Sequence, residues 1–231
     1  LKKQKPIFML MESDKDYLLK NSFDMGYGWV AHHLMNDIAQ GKKTVADWDK
    51  YVEEFGQKYQ KDDYFMNFTS NHDENAWHGS EYERMGDAVK TFTALSYVMP
   101  GMPLIYTGQE YGNKHSMKFF EKDLISKDNS RMFGLYQQLG WLKNNNPALA
   151  GAKDAASYKR LITSDDKKIL AFVREKAGQK VTFVANLTNE HVTFTIPVEG
   201  TYTNYLKGVK LTFKAGQELE AWPWEFWILT N

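Results

Sequence analysis

Apolar residues fall in two different patterns along the chain. In the first two thirds they form short unbroken blocks, at residues 6–11 (PIFMLM), 64–69 (YFMNFT) and 102–107 (MPLIYT). Such blocks suit strands buried on both faces, as in a parallel sheet. Helical spacing lies between them. Residues 30–40 (VAHHLMNDIAQ) stop at Gly41. Residues 44–59 start on Thr44 as N-cap, with Asp47 three positions on. Residues 80–98 start on a Ser80/Glu83 capping box and stop at Pro100-Gly101, and residues 129–145 precede Pro147. Residues 13–20 read as a polar connection, and 23–29 (FDMGYGW) as a short strand or loop edge. Strand–helix alternation of this kind predicts βα units. After about residue 153 the pattern becomes short alternating strands. Ser164-Asp165-Asp166, Gly178, Asn189, Gly200, Gly208 and Gly216 punctuate them, which predicts an antiparallel β-sandwich. The division read from the sequence is 1–152 and 153–231.

The βα part holds about 150 residues, where a closed (β/α)8 barrel needs about 250. It therefore reads as a partial TIM barrel, about half, followed by the β-sandwich: an α/β chain. A doubly wound sheet is the alternative, but the G-x-G-x-x-G turn that usually opens one is absent. The chain starts at Leu1 and reaches a core strand within a few residues, which reads as a piece of something longer. Half a barrel has two unpaired edges, and such edges recruit a partner: the other half, or a second copy.

Composition removes several function classes. Lys+Arg and Asp+Glu are 29 each, so no basic footprint for nucleic acid exists. No apolar run approaches the ~20 residues of a membrane span. The absence of cysteine excludes disulfides, thiol catalysis and zinc–thiolate sites. Aromatics reach 15% of the chain, which draws attention to surfaces that stack on ligands.

Catalytic groups in barrels sit at the carboxyl ends of strands. Glu12 follows the first apolar block, Asn71-His72-Asp73 the second and Glu110 the third. Paired carboxylates on one rim suit glycoside hydrolysis, where one protonates the leaving oxygen and negative charge stabilises an oxocarbenium ion. Each has a plainer reading. Glu12 could open a solvated loop, Asn71 and Asp73 could cap a turn, and Glu110 could buttress its loop. Trp77 is the best-placed aromatic to stack on a sugar, ahead of Trp29 and Tyr106. Trp222, Trp224 and Trp227 read as packing residues more than as a sugar platform. His32 and His33 are adjacent and share no helix face, and His72 with His78 lacks a third ligand, so no metal site is predicted. No G-x-S-x-G serine signature is present.

Residues 65–75 (FMNFTSNHDEN) followed by 100–112 (PGMPLIYTGQEYG) resemble the α-amylase family of glycoside hydrolases. The first segment is similar to the family's seventh-strand motif Phe-x-x-x-Asn-His-Asp, and the second to its eighth-strand segment. PIFMLME resembles the fifth-strand segment that ends in the catalytic Glu. The resemblance runs over essentially the whole chain and implies strands 5 to 8 of the barrel plus the C-terminal β domain. It implies Glu12 as general acid/base, Asp73 as the carboxylate that binds sugar hydroxyls and stabilises the transition state, and His72 as a sugar hydrogen-bond partner. Asn71 would shape the loop, and Glu110 and Gly108 would be structural. The family's fourth-strand nucleophile segment, Gly-x-Arg-x-Asp, is not in this sequence. The implied function is retaining hydrolysis of α-1,4 bonds in starch-like glucans, with these residues alone inactive. The alternative is a non-catalytic carbohydrate-binding or interaction protein on the same fold. No cofactor is implied within the chain. Calcium would be held by residues outside it, and the α-glucan is the expected partner. The compartment is left open, with export or a periplasmic site in keeping with starch-degrading relatives. An acid role also implies a partly apolar setting for Glu12.

Overall fold

Parallel pairing organises the first part of the molecule. The computed structural model describes residues 1–60, 62–128 and 130–231, with only the backbone of Asn21. Strand β1 (Gly26–Tyr27) pairs in parallel with β2 (Phe65–Asn67), and β2 with β3 (Met102–Pro103). On the far side of β1 the segment around Leu10 adds a fourth parallel line through the Leu10–Met25 bridge. The strands are shorter than their apolar blocks. Pro103 has no N–H to extend a ladder, and one bond from Leu104 N to Asn67 O (2.8 Å) carries the pairing onward. The block at 6–11 is not buried on both faces as expected: Phe8 is 59% and Leu10 41% exposed. Met11 is buried with Leu19 and Phe65 while Phe8 and Leu10 are open, so one face of the segment is covered and the other is not.

The helices form largely where their caps predict. Helix α1 (Asp16–Asn21) is an addition, occupying the stretch read as polar connection. Helix α2 (Trp29–Ala39) ends before Gly41, whose φ of +70° suits a glycine. Helix α3 (Val45–Lys58) opens with the Thr44 amide donating to Asp47 at 2.9 Å. Residues 80–98 are not one helix. Helix α4 (His72–His78) already occupies the polar cluster, and α5 (Glu81–Met85) stops at Gly86 (φ +55°, ψ −128°). A single 3-10 turn leads to α6 (Val89–Val98). Helix α7 (Arg131–Asn145) is capped by Ser130, and the expected start at Asn129 lies outside the described residues. No described helix is long and apolar enough to cross a membrane.

The last third is antiparallel. Strands β4 (Ser157–Arg160), β5 (Ile169–Lys176), β6 (Gln179–Asn186), β8 (Gly200–Asn204), β9 (Val209–Phe213) and β11 (Phe226–Thr230) make a six-stranded sheet ordered β4-β5-β6-β11-β8-β9. Strands β7 (Val192–Thr195) and β10 (Glu218–Ala221) pair as a second sheet against it. Alternation along β5 sends Leu170 and Phe172 toward α6 and α7, and Ile169 and Ala171 toward Phe194 and Ala221. The six-stranded sheet thus covers the helices with one face and completes a sandwich with the other. Trp224 lies at the junction and packs on Phe92 of α6 at 6.2 Å, while Trp227 stacks on Phe194 and Trp222 is 64% exposed.

Candidate active site

Three strand ends deliver the candidate groups. Glu12 lies between two ladder bonds to β1, from Met11 N to Met25 O (2.9 Å) and from Tyr27 N to Ser13 O (3.0 Å). They fix its backbone and leave the side chain facing the next loop. That loop follows β2 and becomes α4, which begins at His72 and Asp73. Asn71 is its N-cap: Oδ1 accepts from Glu74 N at 2.8 Å. Asn71 is buried, and its Nδ2 has no partner among the described residues.

His72, Asp73 and Glu12 converge. His72 Nε2 is 3.9 Å from Glu12 Oε1 and 3.6 Å from Asp73 Oδ1. One polar atom from each of the three lies within 4.8 Å of the others. All three side chains are open to solvent, Glu12 by 51%. The partly apolar setting expected for Glu12 is therefore absent; the carboxyl faces an open rim. Tyr27 lies below it. Burial pushes the Tyr27 phenol up, and the charges of Glu12 and Asp73 push it further. Glu110 stays apart from this group, accepting from Gly108 N at 3.0 Å. Gly108 has φ +93°, and a Cβ there would meet Asn113 and Ile125 at 3.1 Å, so the turn requires glycine.

The donor set bears on metals. Calcium takes six to eight oxygen ligands. One imidazole and two carboxylates do not make that shell, so these residues do not fit calcium.

Beneath the rim lies a network that sequence reasoning missed. Glu74, the residue after Asp73, is turned inward and 7% exposed. Its Oε2 is 2.9 Å from His32 Nε2 and 4.0 Å from Arg84, and its Oε1 is 3.2 Å from His78 Nδ1. The His32 hydrogen bond, with the charges around it, holds the Glu74 carboxyl down at about 2. Burial pulls fully enclosed His32 below its usual range, against the pull of Glu74. We place the lasting charge on Glu74, because Arg84 also faces it. Arg84 donates to Asn36 Oδ1 (2.8 Å), to the carbonyls of Thr69 (2.9 Å) and Gly79 (3.0 Å), and to Ser70 Oγ (3.2 Å). The loop carrying His72 and Asp73 is thus tied to α2 and α5. A second buried carboxyl, Glu81, accepts from Thr69 Oγ1 and Gln109 Nε2, joining the loops after β2 and β3; burial pushes it up.

Trp77, on α4, is 59% exposed beside Phe119 and Phe120 of the loop after β3. Neither Phe carries a sequence signal, since the loop between Gly112 and Ser130 has no periodicity.

Comparison with known proteins gives the fold. Residues 160–228 match the family model described as maltogenic amylase, C-terminal domain. The whole chain superposes on the noncanonic maltogenic α-amylase AmyB of Thermotoga neapolitana with a TM-score of 0.86 at 16% identity, covering 100% of this chain and 56% of that one. An α-amylase from Lactobacillus plantarum gives 0.76 at 22% identity, covering 94% of this chain and 50% of that one. AmyP, solved in complex with maltotriose, gives 0.68 at 14% identity, covering 96% and 54%. No curated protein matches the sequence. The architecture is that of the C-terminal part of α-amylase-type glycoside hydrolases. The superpositions show the fold, and the match over residues 160–228 likens the β domain to the C-terminal domain of maltogenic amylases. It spans about half the length of the structures it matches.

Proposed function

We propose that this chain supplies the acid/base side of a retaining glycosidase acting on α-1,4 bonds of starch-like glucans. The convergence of Glu12, His72 and Asp73 carries the reading. Glu12 protonates the glycosidic oxygen and then takes a proton from the incoming water. Asp73 binds hydroxyls of the reacting sugar and offsets the positive charge of its transition state, and His72 hydrogen-bonds the same sugar. Asn71 sets the loop, and Trp77 stacks on a glucosyl ring. Glu12 and Asp73 have oxygens within 4.8 Å. An inverting pair needs ~6.5–9.5 Å to seat a water between its carboxyls, so Asp73 is not a base of that kind. The nucleophile is an Asp outside these residues. The parallel strands are the second half of a (β/α)8 barrel over 1–152, and 153–231 is its β-sandwich.

The test is titration with maltotriose, following the His72 ring by NMR, beside reducing-end release from soluble starch. Maltotriose should shift the His72 resonances, Asp73→Asn should abolish the shift, and neither the chain nor Glu12→Gln should release reducing ends. A His72 ring indifferent to maltotriose overturns the glucan reading. Starch turnover that disappears in Glu12→Gln overturns the external nucleophile.

A further inference from the structure

We propose that Trp77, Phe119 and Phe120 form a second sugar subsite, which seats the glucosyl unit adjoining the one at Glu12, His72 and Asp73. The inference rests on the reading of those three as the reacting position. The rings run outward from it in series. His72 and Phe119 have centroids 6.2 Å apart with planes 33° from parallel. Phe119 and Trp77 are 5.3 Å apart at 36°, and Phe120 stands edge-on to Phe119 at 4.8 Å. All three hydrophobic rings face solvent, at 59% for Trp77, 43% for Phe119 and 84% for Phe120. They bury little against the core, so folding does not account for them.

The loop holding the two phenylalanines is fastened. Met117 N donates to Asn75 Oδ1 at 2.7 Å, Ser80 Oγ to Lys114 O at 2.8 Å, and Ser116 Oγ to Glu83 Oε2 at 3.2 Å. These bonds tie it to α4 and α5, the first of which carries His72 and Asp73. The strip is therefore held in place before a ligand arrives, which lowers the ordering cost of binding. Its chemistry fits a pyranose: axial C–H groups make an apolar face for an aromatic ring, and rim hydroxyls need polar neighbours. Lys118 and Glu121, paired at 2.8 Å, stand next to the rings in sequence and supply such neighbours. Continuity with His72 selects an oligosaccharide over a free monosaccharide. With Phe119 6.2 Å from the His72 ring, a chain with one unit at His72 can lay the next along the strip.

The experiment is calorimetric titration of the chain with maltose and with maltoheptaose, for the parent, Phe119→Ala/Phe120→Ala and Asp73→Asn, with circular dichroism as the folding check. The parent should bind maltoheptaose more tightly than maltose. The double variant should lose about tenfold for maltoheptaose, the size of an aromatic contact, and most of the preference for the longer sugar. Parent-like affinity in the double variant, with weakening in Asp73→Asn, overturns the subsite and leaves the reacting position standing. Weakening in the double variant with no change in Asp73→Asn upholds the strip as a sugar surface and overturns its link to that position. Unchanged sugar binding, with a dimer lost on sedimentation of the double variant, makes the strip a protein contact and overturns the proposal. Absence of any sugar binding by the parent overturns both readings.

Discussion

Glu74 is the residue on which the candidate site rests, although it faces away from it. Its carboxylate lies among His32, His78 and Arg84, and its backbone N–H satisfies Asn71. Removing one member of a buried charged group strands the others, and that penalty exceeds the net worth of the pair. Glu74→Gln should therefore cost about 2 kcal/mol at pH 7, measured by urea unfolding. The pH dependence follows from where the carboxyl sits. It titrates at about 2 in the fold against an ordinary 4.5. Between those values the unfolded chain holds more protons, so this contribution climbs with pH, is complete above the ordinary value and fades as pH falls toward 2. The gap between the parent and Glu74→Gln should close over that window. A gap that stays constant down to pH 2 would mean the carboxylate is not what the network holds.

At the scale of elements, a tight backbone constraint lies where β3 leaves α6. Gly101 has φ +121°, and a Cβ there would lie 2.5 Å from Asn67 Nδ2 and 2.6 Å from Phe65 O. Asn67 uses that amide to hold the carbonyls of Ser96 and Pro100, closing the turn between α6 and β3. Gly101→Ala meets both a disfavoured backbone and β2, and should cost at least about 3 kcal/mol in urea unfolding. A mild loss would show that β3 can slide from β2 without penalty. Elements also mark the boundary of what is legible in the amino-acid order. Polar residues just beyond an apolar block are local facts, so Glu12, His72 and Asp73 stand out in the sequence alone. Caps are local too, and Thr44 and Ser80 begin helices. The split between α5 and α6 is also local, but Gly86 is a weak signal inside an apolar period. The Glu74 network has no such trace: His32 and Arg84 lie 52 positions apart. Each has an ordinary helical setting, and only the fold brings them together. Phe119 and Phe120 escape notice for the opposite reason, since an aperiodic loop gives no expectation to violate.

Across the whole molecule, two cations with no facing carboxylate among the described residues, Arg174 fully buried and Lys143 half-buried, hold the turns where α6 and α7 end, and Arg174 does so from the β domain. Arg174, on β5, is fully buried and donates to the carbonyls of Ser157 (2.8 Å), Val98 (3.1 Å) and Ala150 (3.0 Å). Val98 ends α6, so the guanidinium also meets the negative end of that helix. Lys143, on α7, donates to the carbonyls of Gly101 (2.7 Å) and Leu149 (2.9 Å). Carbonyl dipoles compensate a buried charge only in part. Burial, with Arg174 nearby, holds the Lys143 ammonium down at about 7, and burial brings Arg174 to about 10. The sign is opposite to that of a stabilised charge. Between about 7 and the ordinary 10.5 the unfolded chain binds the Lys143 proton and the folded chain has lost it. Stability should therefore rise with pH through that window and level off below it. Lys143→Met cannot titrate, so its urea midpoint should lack that rise while the parent's midpoint climbs between pH 7 and 9.5. Arg174→Met should behave differently, because the buried carbonyl of Val98 loses its donor and those of Ser157 and Ala150 each lose a charged one, a loss of about 3 kcal/mol at every pH tested. If the parent's midpoint stays flat from pH 7 to 9.5, Lys143 keeps its ordinary proton affinity in the fold. The junction between sheet and sandwich is then wetter than its carbonyl-only partners imply.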